Sequence, residues 1–436
     1  MVLDKEGASS RGAIFMIDAS KGFMKDGPKN RLRAQDIHKI VDAFSKQLEI
    51  PNYSRMVYVE EIEKNEFNLN LPRYIDNQKA EDLQDIEGHL KGGIPLADVE
   101  SLQGYWEICP SLRSTLFRSN RPGYVEIAVE KSSIKSTIYD HPQFKAFIKK
   151  MNARFSSWKE KSTKLLKAMQ PGCHPKEVIT KLSEDLLAHY ANSPLGNPYN
   201  IYQHLMDYWA ETMQDDCYLI SADGWRADTY RIIETDKQGK KKDKGWACDL
   251  VPRHLIIGHY FAQEQAEIDR LAADLESVSS VLAELEEEHN GEDGALTALD
   301  KINRAHVSTR LKEIKNDKEY EDEADVLNNW IRLSDKEADL KKRIKDLWAH
   351  LDRKALAKYP KLTEQELKSL VIEGKWLSAV DAAVHSELDR ISQQLAGRIK
   401  ELAERYATPL RELTVEVEVL AARVTEHLRK MSAPCG

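Results

Sequence analysis

The sequence predicts a mixed, mainly α-helical fold in three parts. These are a remnant of an α/β sheet at the amino terminus, a central α+β region, and a carboxy-terminal arm of long, coiled-coil-like helices. Two observations predict this fold. Two segments of the last third carry apolar residues at alternating spacings of three and four, which keeps one side of a helix apolar. Short apolar runs typical of strands lie near the amino terminus and in the middle. We expect the parts to span residues 1–80, 81–260 and 261–436.

Bulk composition limits the class of protein. The 436 residues are enough for roughly two to four domains of ordinary size. The formal net charge is -8, so any contact with nucleic acid requires a local basic patch. The five cysteines form no C-x-x-C pair, which argues against a zinc ribbon or disulfide framework and favours a reducing compartment. With no apolar run of roughly eighteen residues and no secretory signal, the sequence predicts a cytoplasmic protein without a membrane segment.

Two strands and a helix are predicted in the amino-terminal part. The apolar runs at residues 14–17 and 56–59 are typical of buried strands. Between them, the pattern predicts a helix over residues 32–48 that Pro51 stops. The residues on its apolar side are Ile37, Ile40, Val41 and Phe44. Two short strands cannot close a sheet, so residues 12–75 are predicted to form an incomplete sheet edge with the two strands as neighbours.

The middle part combines helices with a hairpin. Aromatic and apolar residues recur at helical spacing from Phe144 to Trp158, and we interpret them as core rather than as a platform for stacking bases. Residues 217–220 and 229–233 are predicted strands, and residues 246–251 are predicted to return from a hairpin tip.

The hairpin tip is rich in lysine. Its five lysines are Lys237, Lys240, Lys241, Lys242 and Lys244. Such a cluster predicts a DNA contact through phosphates. The alternative is that lysines keep an exposed hairpin tip soluble.

The carboxy-terminal part contains the two heptad-patterned segments. The first has its apolar positions at Ile268, Leu271, Leu275, Val278, Leu282 and Leu285. The second begins with Leu395, Ile399, Leu402 and Tyr406 and continues with Leu410, Leu413, Val417, Leu420 and Val424. One interpretation is an intramolecular hairpin of the two segments, and the other is an arm that docks on another protein's helices. Thr408-Pro409 interrupts the second segment, so the last five positions are predicted to form a separate, partner-binding terminal helix.

Three stretches of the amino-terminal part resemble a known family. They are Phe-Met-Ile-Asp-Ala-Ser at residues 15–20, Tyr-Ser-Arg at 53–55, and Phe-Asn-Leu-Asn-Leu-Pro-Arg-Tyr-Ile at 67–75. Together they resemble the tail of the catalytic domain in DNA adenine methyltransferases, and more narrowly the modification subunit of type I restriction–modification systems. Further stretches that resemble this subunit are residues 197–209, 213–216, 222–225, 359–363, 375–377 and 398–406.

The resemblance implies a position and a set of partners. The chain is expected to be the carboxy-terminal part of the modification subunit, completing the methyltransferase domain and docking the DNA-specificity subunit. S-adenosylmethionine is the cofactor of the complete family protein. The implied partners are the specificity and restriction subunits, double-stranded DNA in the complex, and the amino-terminal half as a separate chain. The alternatives are a non-enzymatic coiled-coil scaffold or a DNA-binding interaction protein.

The chemistry that such an enzyme needs is missing from this sequence. A methyltransferase of this kind needs a glycine-rich turn for its cofactor and an (Asp/Asn)-Pro-Pro-(Tyr/Phe) loop for a flipped adenine. The sequence has no G-x-G and no Pro-Pro. Asn197-Pro198-Tyr199 lacks the second proline, and we interpret it as a helix start. No catalytic or cofactor-binding residue is therefore assigned, and this chain alone is expected to be inactive.

Two other groups of polar residues are interpreted as structural. Cys173 and His174 are adjacent, but no second half of a metal site accompanies them, so no metal ligand is assigned. His204, Asp207 and Asp216 lie on or near an amphipathic helix, where a structural cluster is favoured over a catalytic one.

Overall fold

A computed structural model gives the fold of most of the chain. It describes residues 11–76, 83–235, 239, 241–291, 294–297, 299, 301–315, 317 and 320–431. Within these ranges, helices dominate and the strands form four small antiparallel sheets. The predicted fold class, mixed and mainly α-helical, is confirmed. No helix in the described part has the length and apolar content needed to span a membrane.

The strands and helices are numbered in chain order. The strands are β1 Ala13–Ile17, β2 Met24–Asp26, β3 Lys29–Arg31, β4 Ser54–Tyr58, β5 Ile94–Pro95, β6 Phe117–Arg121, β7 Tyr124–Ile127, β8 Tyr230–Thr235 and β9 Lys241–Ala247. The first ten helices are α1 Ala34–Lys46, α2 Val59–Lys64, α3 Ile86–Lys91, α4 Leu96–Glu100, α5 Gln103–Ile108, α6 Pro110–Leu116, α7 Ile134–Asp140, α8 Pro142–Lys167, α9 Pro175–Tyr190 and α10 Pro198–Tyr208. The others are α11 Gln214–Asp223, α12 Arg253–Tyr260, α13 Ala262–His289, α14 Arg304–Ile314, α15 Glu321–Lys358, α16 Glu364–Lys368, α17 Leu377–Arg405 and α18 Leu410–Met431.

The chain divides into two compact units. The first unit comprises residues 1–169, 173–217 and 376–436, and the second comprises residues 170–172 and 218–375. Helix α17 joins the first unit because it packs on α7, α8 and α10. A π-helical turn, Trp209–Met213, links α10 to α11, and a second one, Ser369–Trp376, precedes α17.

The amino-terminal sheet of the first unit has two strands. β1 and β4 pair antiparallel, with Ala13 opposite Tyr58 and Ile17 opposite Ser54, so the predicted neighbours are confirmed. A small core lies beneath them, formed by Met16, Val57, Ile62, Tyr74 and Ile75. The predicted helix over residues 32–48 is α1, which ends where Gln47 adopts a left-handed conformation.

The helical body of the first unit is built around α8 and α17. Phe144, Phe147, Met151, Phe155 and Trp158 of α8 are buried, which confirms the interpretation of this aromatic stripe as core. The first half of the second heptad segment is also buried, at Leu395, Ile399 and Leu402 of α17 and at Tyr406, which follows that helix.

The second unit contains a long helical hairpin of α13 and α15. Leu271 and Val278 of α13 are buried against Leu333 and Leu340 of α15. Ser279 Oγ donates to Glu337 Oε1 at 2.7 Å, and further along Lys354 Nζ donates to Glu264 Oε1 at 3.2 Å. Contacts further along α15 are made by residues earlier in α13, so the two helices are antiparallel.

This hairpin corrects the predicted pairing of the two heptad segments. The first segment forms a hairpin, but its partner is α15 instead of residues 395–424. Helix α15 carries its own apolar series at Leu333, Leu340 and Leu347. It also follows α13 after a shorter stretch of chain, so pairing with it costs less loop-closure entropy.

The β8–β9 hairpin also belongs to the second unit. Residues 229–233 were predicted as its first strand, and β8 occupies Tyr230–Thr235 with Glu234 opposite Lys242 of β9. The predicted strand at residues 217–220 is wrong, because these residues lie in α11.

Candidate interaction surfaces

Helix α1 turns an apolar side to solvent. Ile37, Val41 and Phe44, at spacings of four and three, share one side of the helix and are 51%, 53% and 53% exposed. We call these three residues the α1 face. In amphipathic helices, such an apolar face normally packs against the hydrophobic core. The α1 face is therefore a surface on which another structure can pack.

The opposite, polar side of α1 faces the protein. Tyr199 Oη, from α10, donates to Asp42 Oδ2 at 3.0 Å. His38 Nε2 lies 3.6 Å from Asp42 Oδ2 and 3.5 Å from Glu184 Oε1 of α9. Burial opposes ionisation of Asp42, but hydrogen bonds from Lys46 and Tyr199 hold the pKa of Asp42 below its ordinary value. Burial, reinforced by Asp42, raises the pKa of Tyr199. Polar contacts thus fix α1, and its apolar side is left outside.

The start of α10 uses the polar groups of Asn197-Pro198-Tyr199. Asn197 Oδ1 accepts a hydrogen bond from the backbone N–H of Tyr199 at 3.0 Å, and Pro198 is the first helical residue. The Tyr199 hydroxyl is engaged by Asp42. The interpretation as a helix start is confirmed.

His204, Asp207 and Asp216 do not converge on a common site. Asp216 Oδ2 accepts from the buried Trp376 Nε1 at 2.7 Å. Asp207 accepts from Gln203 at 2.6 Å, and His204 Nε2 lies 4.0 Å from Glu387 Oε2. The Asp216–Trp376 hydrogen bond joins residues distant in sequence, whereas the Gln203–Asp207 hydrogen bond lies within α10. In the ranges that the structure describes, no group of three or more His, Cys, Asp or Glu side chains could hold a metal ion.

Buried Glu387 on α17 is the centre of a second polar contact. Its carboxylate accepts from Arg390 Nε and Nη2, both at 2.6 Å, and from Asn200 Nδ2 at 3.0 Å. Burial would raise the pKa of Glu387, but hydrogen bonds from Arg390, His204 and Asn200 lower it to about 2. The ionised carboxylate therefore links α17 to α10.

The predicted DNA-contacting lysines divide into three groups. Lys237 and Lys240 lie outside the described residues. Lys244 forms an ion pair with Glu234, 2.8 Å from Nζ to Oε2. Lys241 and Lys242 are exposed on β9 and form no ion pair within the described part of the hairpin. Lys242 is the residue that lies opposite Glu234 in the β8–β9 register.

The terminal helix α18 exposes the predicted partner-binding positions. We call Leu410, Leu413, Val417, Leu420 and Val424 the terminal seam. Their side chains are between 43% and 64% exposed, and Leu428 continues the series at 57%. The predicted break at Pro409 is confirmed, since α17 ends at Arg405 and α18 begins at Leu410. Helix α18 contacts α3, but the terminal seam itself is open to solvent.

Comparison with known proteins finds a match for the amino-terminal segment. Residues 1–83 match the N-6 DNA Methylase family. This segment contains β1, α1 and β4, and therefore also the α1 face. No solved structure matches the chain.

The curated relatives are methylase subunits. Over 91 residues the chain is 38% identical to the methylase subunit of the type I restriction enzyme MjaVII from Methanocaldococcus jannaschii. This alignment covers 20% of this chain and 15% of that protein. It is 29% identical over 83 residues to the MpnII methylase subunit from Mycoplasma pneumoniae, and that alignment covers 19% of this chain and 15% of the relative. It is 33% identical over 79 residues to the MjaVIII methylase subunit from M. jannaschii, and that alignment covers 17% of this chain and 14% of the relative.

The chain thus aligns with about 15% of the length of these relatives. The likeness to such subunits stays a prediction for the later stretches, at residues 197–209, 213–216, 222–225, 359–363, 375–377 and 398–406. The amino-terminal 83 residues are similar to N-6 DNA methylases, and the relatives that share this similarity are methylase subunits of type I restriction enzymes.

Proposed function

We propose that this chain is the carboxy-terminal portion of the DNA N6-adenine methyltransferase subunit of a type I restriction–modification system. It completes the methyltransferase domain with β1, α1 and β4, and it docks the DNA-specificity subunit with α18. The match of residues 1–83 to the N-6 DNA Methylase family carries this proposal. S-adenosylmethionine binding and methyl transfer then belong to the complete methyltransferase, because this sequence has no G-x-G and no Pro-Pro.

The α1 face supports the first half of the proposal. A two-stranded sheet is marginal by itself and normally needs further strands or a covering helix. Burial of each α1 face side chain would contribute roughly 1.5–3 kcal/mol, less the part that is already covered. The occupant that fits is the remainder of an α/β methyltransferase domain, which carries the cofactor and catalytic motifs. It is supplied by the same polypeptide or by a separate chain.

The terminal seam supports the second half. Helix α18 has 22 residues, and its apolar positions are spaced three and four apart. This pattern fits long helices of a partner through knobs-into-holes packing. The partner of this kind in a type I system is the specificity subunit. The restriction subunit and double-stranded DNA join the assembled complex.

The lysine hairpin, β8–β9, is proposed as a secondary DNA contact. Lys241 and Lys242 would supply positive charge to phosphates, and Lys244 is partly neutralised by Glu234. A contact of this kind strengthens binding to any sequence and depends strongly on salt.

Reconstitution tests the first half directly. The chain is co-expressed with a polypeptide that carries the G-x-G turn and an Asn-Pro-Pro-Phe loop, and purified through a tag on that polypeptide. We expect a stable complex that methylates adenine when the specificity subunit is added. Phe44→Asp should abolish the complex, and the matched surface change Lys135→Gln on α7 should not. Absence of a complex with the wild-type chain would refute the proposal.

A further inference from the structure

A polar pocket of about 390 Å³ lies in the first unit, beside the polar side of α1. It is formed by the segment after β1, the beginning of α1, the turn before β4 and the beginning of α10. Its charged lining residues are Asp18, Lys21, Arg33, Asp36 and Lys39. None of the residues predicted to bind DNA or a partner lines it.

Lys39 is half-buried in this pocket and has no ion pair within the described residues. Its Nζ lies over the ring of Tyr53, 3.7 Å from the centroid. Burial lowers the pKa of Lys39, and only the more distant charge of Asp36 opposes this. A partly desolvated ammonium without a counter-ion is unfavourable, so an anion in the pocket would stabilise it.

Arg33 is held in one orientation by Asp36. Its Nε donates to Asp36 Oδ2 at 2.8 Å and its Nη2 to Oδ1 at 3.0 Å. This bidentate contact leaves Nη1 without a hydrogen-bond partner in the described part of the chain. Gly22 lies close to this pair, since a β-carbon there would be 3.0 Å from Asp36 Oδ1 and would press on the carboxylate. The site therefore offers a pre-oriented guanidinium edge as well as an ammonium.

The charges of the lining favour an anion. The Arg33–Asp36 pair is neutral, and the remaining groups are two lysines and one carboxylate, so one positive charge is in excess. The backbone at the start of α10 adds no donor, because Tyr199 N donates to the Asn197 side chain and Asn200 N to the Asn197 carbonyl. Recognition would depend on cationic side chains, which donate hydrogen bonds and accept none.

We propose that this pocket binds a phosphate group of a nucleic-acid backbone, with Lys39 and Arg33 as the contacting residues. The choice of DNA as the source of the phosphate rests on the proposed function. Both contacting residues, Lys39 and Arg33, belong to the segment that matches N-6 DNA methylases, and Lys39 lies on the side of α1 opposite the α1 face. Occupation of the pocket by DNA therefore does not compete with packing of a methyltransferase domain on the α1 face.

The test is the salt dependence of binding to a short fluorescein-labelled duplex, measured by anisotropy on the full chain. For Lys39→Gln we expect several-fold weaker binding and a log–log salt slope smaller by about one, as for loss of one phosphate contact. Lys39→Arg should restore the wild-type slope, because it keeps the charge. The control Lys135→Gln, an exposed lysine of α7, should leave the slope unchanged. An unchanged slope in Lys39→Gln, or no duplex binding by the wild-type chain at low salt, would overturn the proposal.

Competition with free ATP separates the two sources of phosphate. We expect millimolar ATP to leave the bound duplex in place. Displacement by ATP in the wild-type chain, but not in Lys39→Gln, would assign the pocket to a free nucleotide and overturn the DNA proposal. Failure here is distinguishable from failure of the proposed function, since co-purification with a specificity subunit does not involve Lys39.

Discussion

The ring of Tyr406 packs directly on the α-carbon of Gly88. A β-carbon at position 88 would lie 2.9 Å from Cδ1 and Cε1 of that ring, too close for any residue other than glycine without a shift. The Tyr406 hydroxyl accepts from Asp85 N at 3.1 Å and donates to Asp98 Oδ2 at 3.2 Å. Tyr406 stands between α17 and α18, so these contacts tie the base of the terminal helix to α3 and α4.

Gly88→Ala should therefore destabilise the first unit. The Tyr406 ring must move, and overpacking of this kind costs about 1–3 kcal/mol. Urea denaturation measures the change in the free energy of unfolding. Gly397→Ala on α17, where a β-carbon meets nothing within 4 Å, is the matched control and should be neutral or slightly stabilising. Equal stability of the Gly88→Ala variant and the wild type would contradict the packing described.

The terminal seam should matter for assembly and little for the stability of the chain. Leu413→Asp combined with Leu420→Asp should leave the Tm of the isolated chain nearly unchanged, since both side chains are exposed. The same pair should abolish co-purification with the specificity subunit, because charged groups would enter an apolar interface. Glu418→Gln on α18 serves as the control and should co-purify normally. A large drop in Tm with partner binding intact would show that the seam packs internally.

Glu387 should make the first unit sensitive to acid. Its pKa of about 2 in the folded protein lies below the ordinary value of 4.5, so its contribution is present above pH 4.5 and is lost as the pH falls toward 2. Glu387→Gln should cost at most about 3 kcal/mol at neutral pH. The wild type and the variant should converge in urea denaturation near pH 2. Exposed Glu211→Gln is the control and should have little effect on the free energy of unfolding at neutral pH. If the free energies of unfolding of Glu387→Gln and the wild type differ by the same amount at every pH, ionisation of Glu387 does not contribute to stability.

The lysine hairpin should act on all DNA sequences alike. Replacing Lys241 and Lys242 by Ala in the assembled complex should weaken binding uniformly and reduce the salt slope by about two, one for each phosphate contact. Lys244→Ala should reduce DNA affinity and the salt slope by a smaller amount, because the charge of this lysine is already paired with that of Glu234. Filter binding with a recognition-site duplex and a scrambled duplex measures both effects. A loss confined to the recognition site would indicate base reading.

The chain alone should not bind S-adenosylmethionine or transfer a methyl group. The sequence lacks both G-x-G and Pro-Pro, the two devices that position cofactor and adenine. Calorimetric titration of the purified chain with S-adenosylmethionine measures this. Stoichiometric micromolar binding would show that a cofactor site is present in the chain after all.

Local patterns predicted those elements whose partners are near in sequence or whose pattern is long. The apolar runs of β1 and β4, the aromatic stripe of α8 and the break at Pro409 all appear as expected. Residues 217–220 form part of α11 and not the predicted strand, because a run of four apolar residues has no periodicity that separates a strand from a helix.

Tertiary partners were harder to predict, as three features of the structure show. The heptad spacing of α13 shows which side is apolar, but several helices could cover it, and α15 does. The amphipathic pattern of α1 identifies Ile37, Val41 and Phe44 as one face, yet it cannot show that this face stays outside. The polar pocket beside α1 combines residues from positions 18 to 200, and its local sign in the sequence is the spacing of Arg33 and Asp36.

The outward apolar side of α1 has a consequence for how the cell would handle this chain. Chaperones and proteases recognise exposed apolar side chains, and they act continuously on proteins that display them. A free copy of this chain displays Ile37, Val41 and Phe44, whereas a copy seated on a methyltransferase domain would hide them. Under the proposed function, unassembled copies would therefore be removed selectively, and the amount of this chain would follow the supply of its catalytic partner.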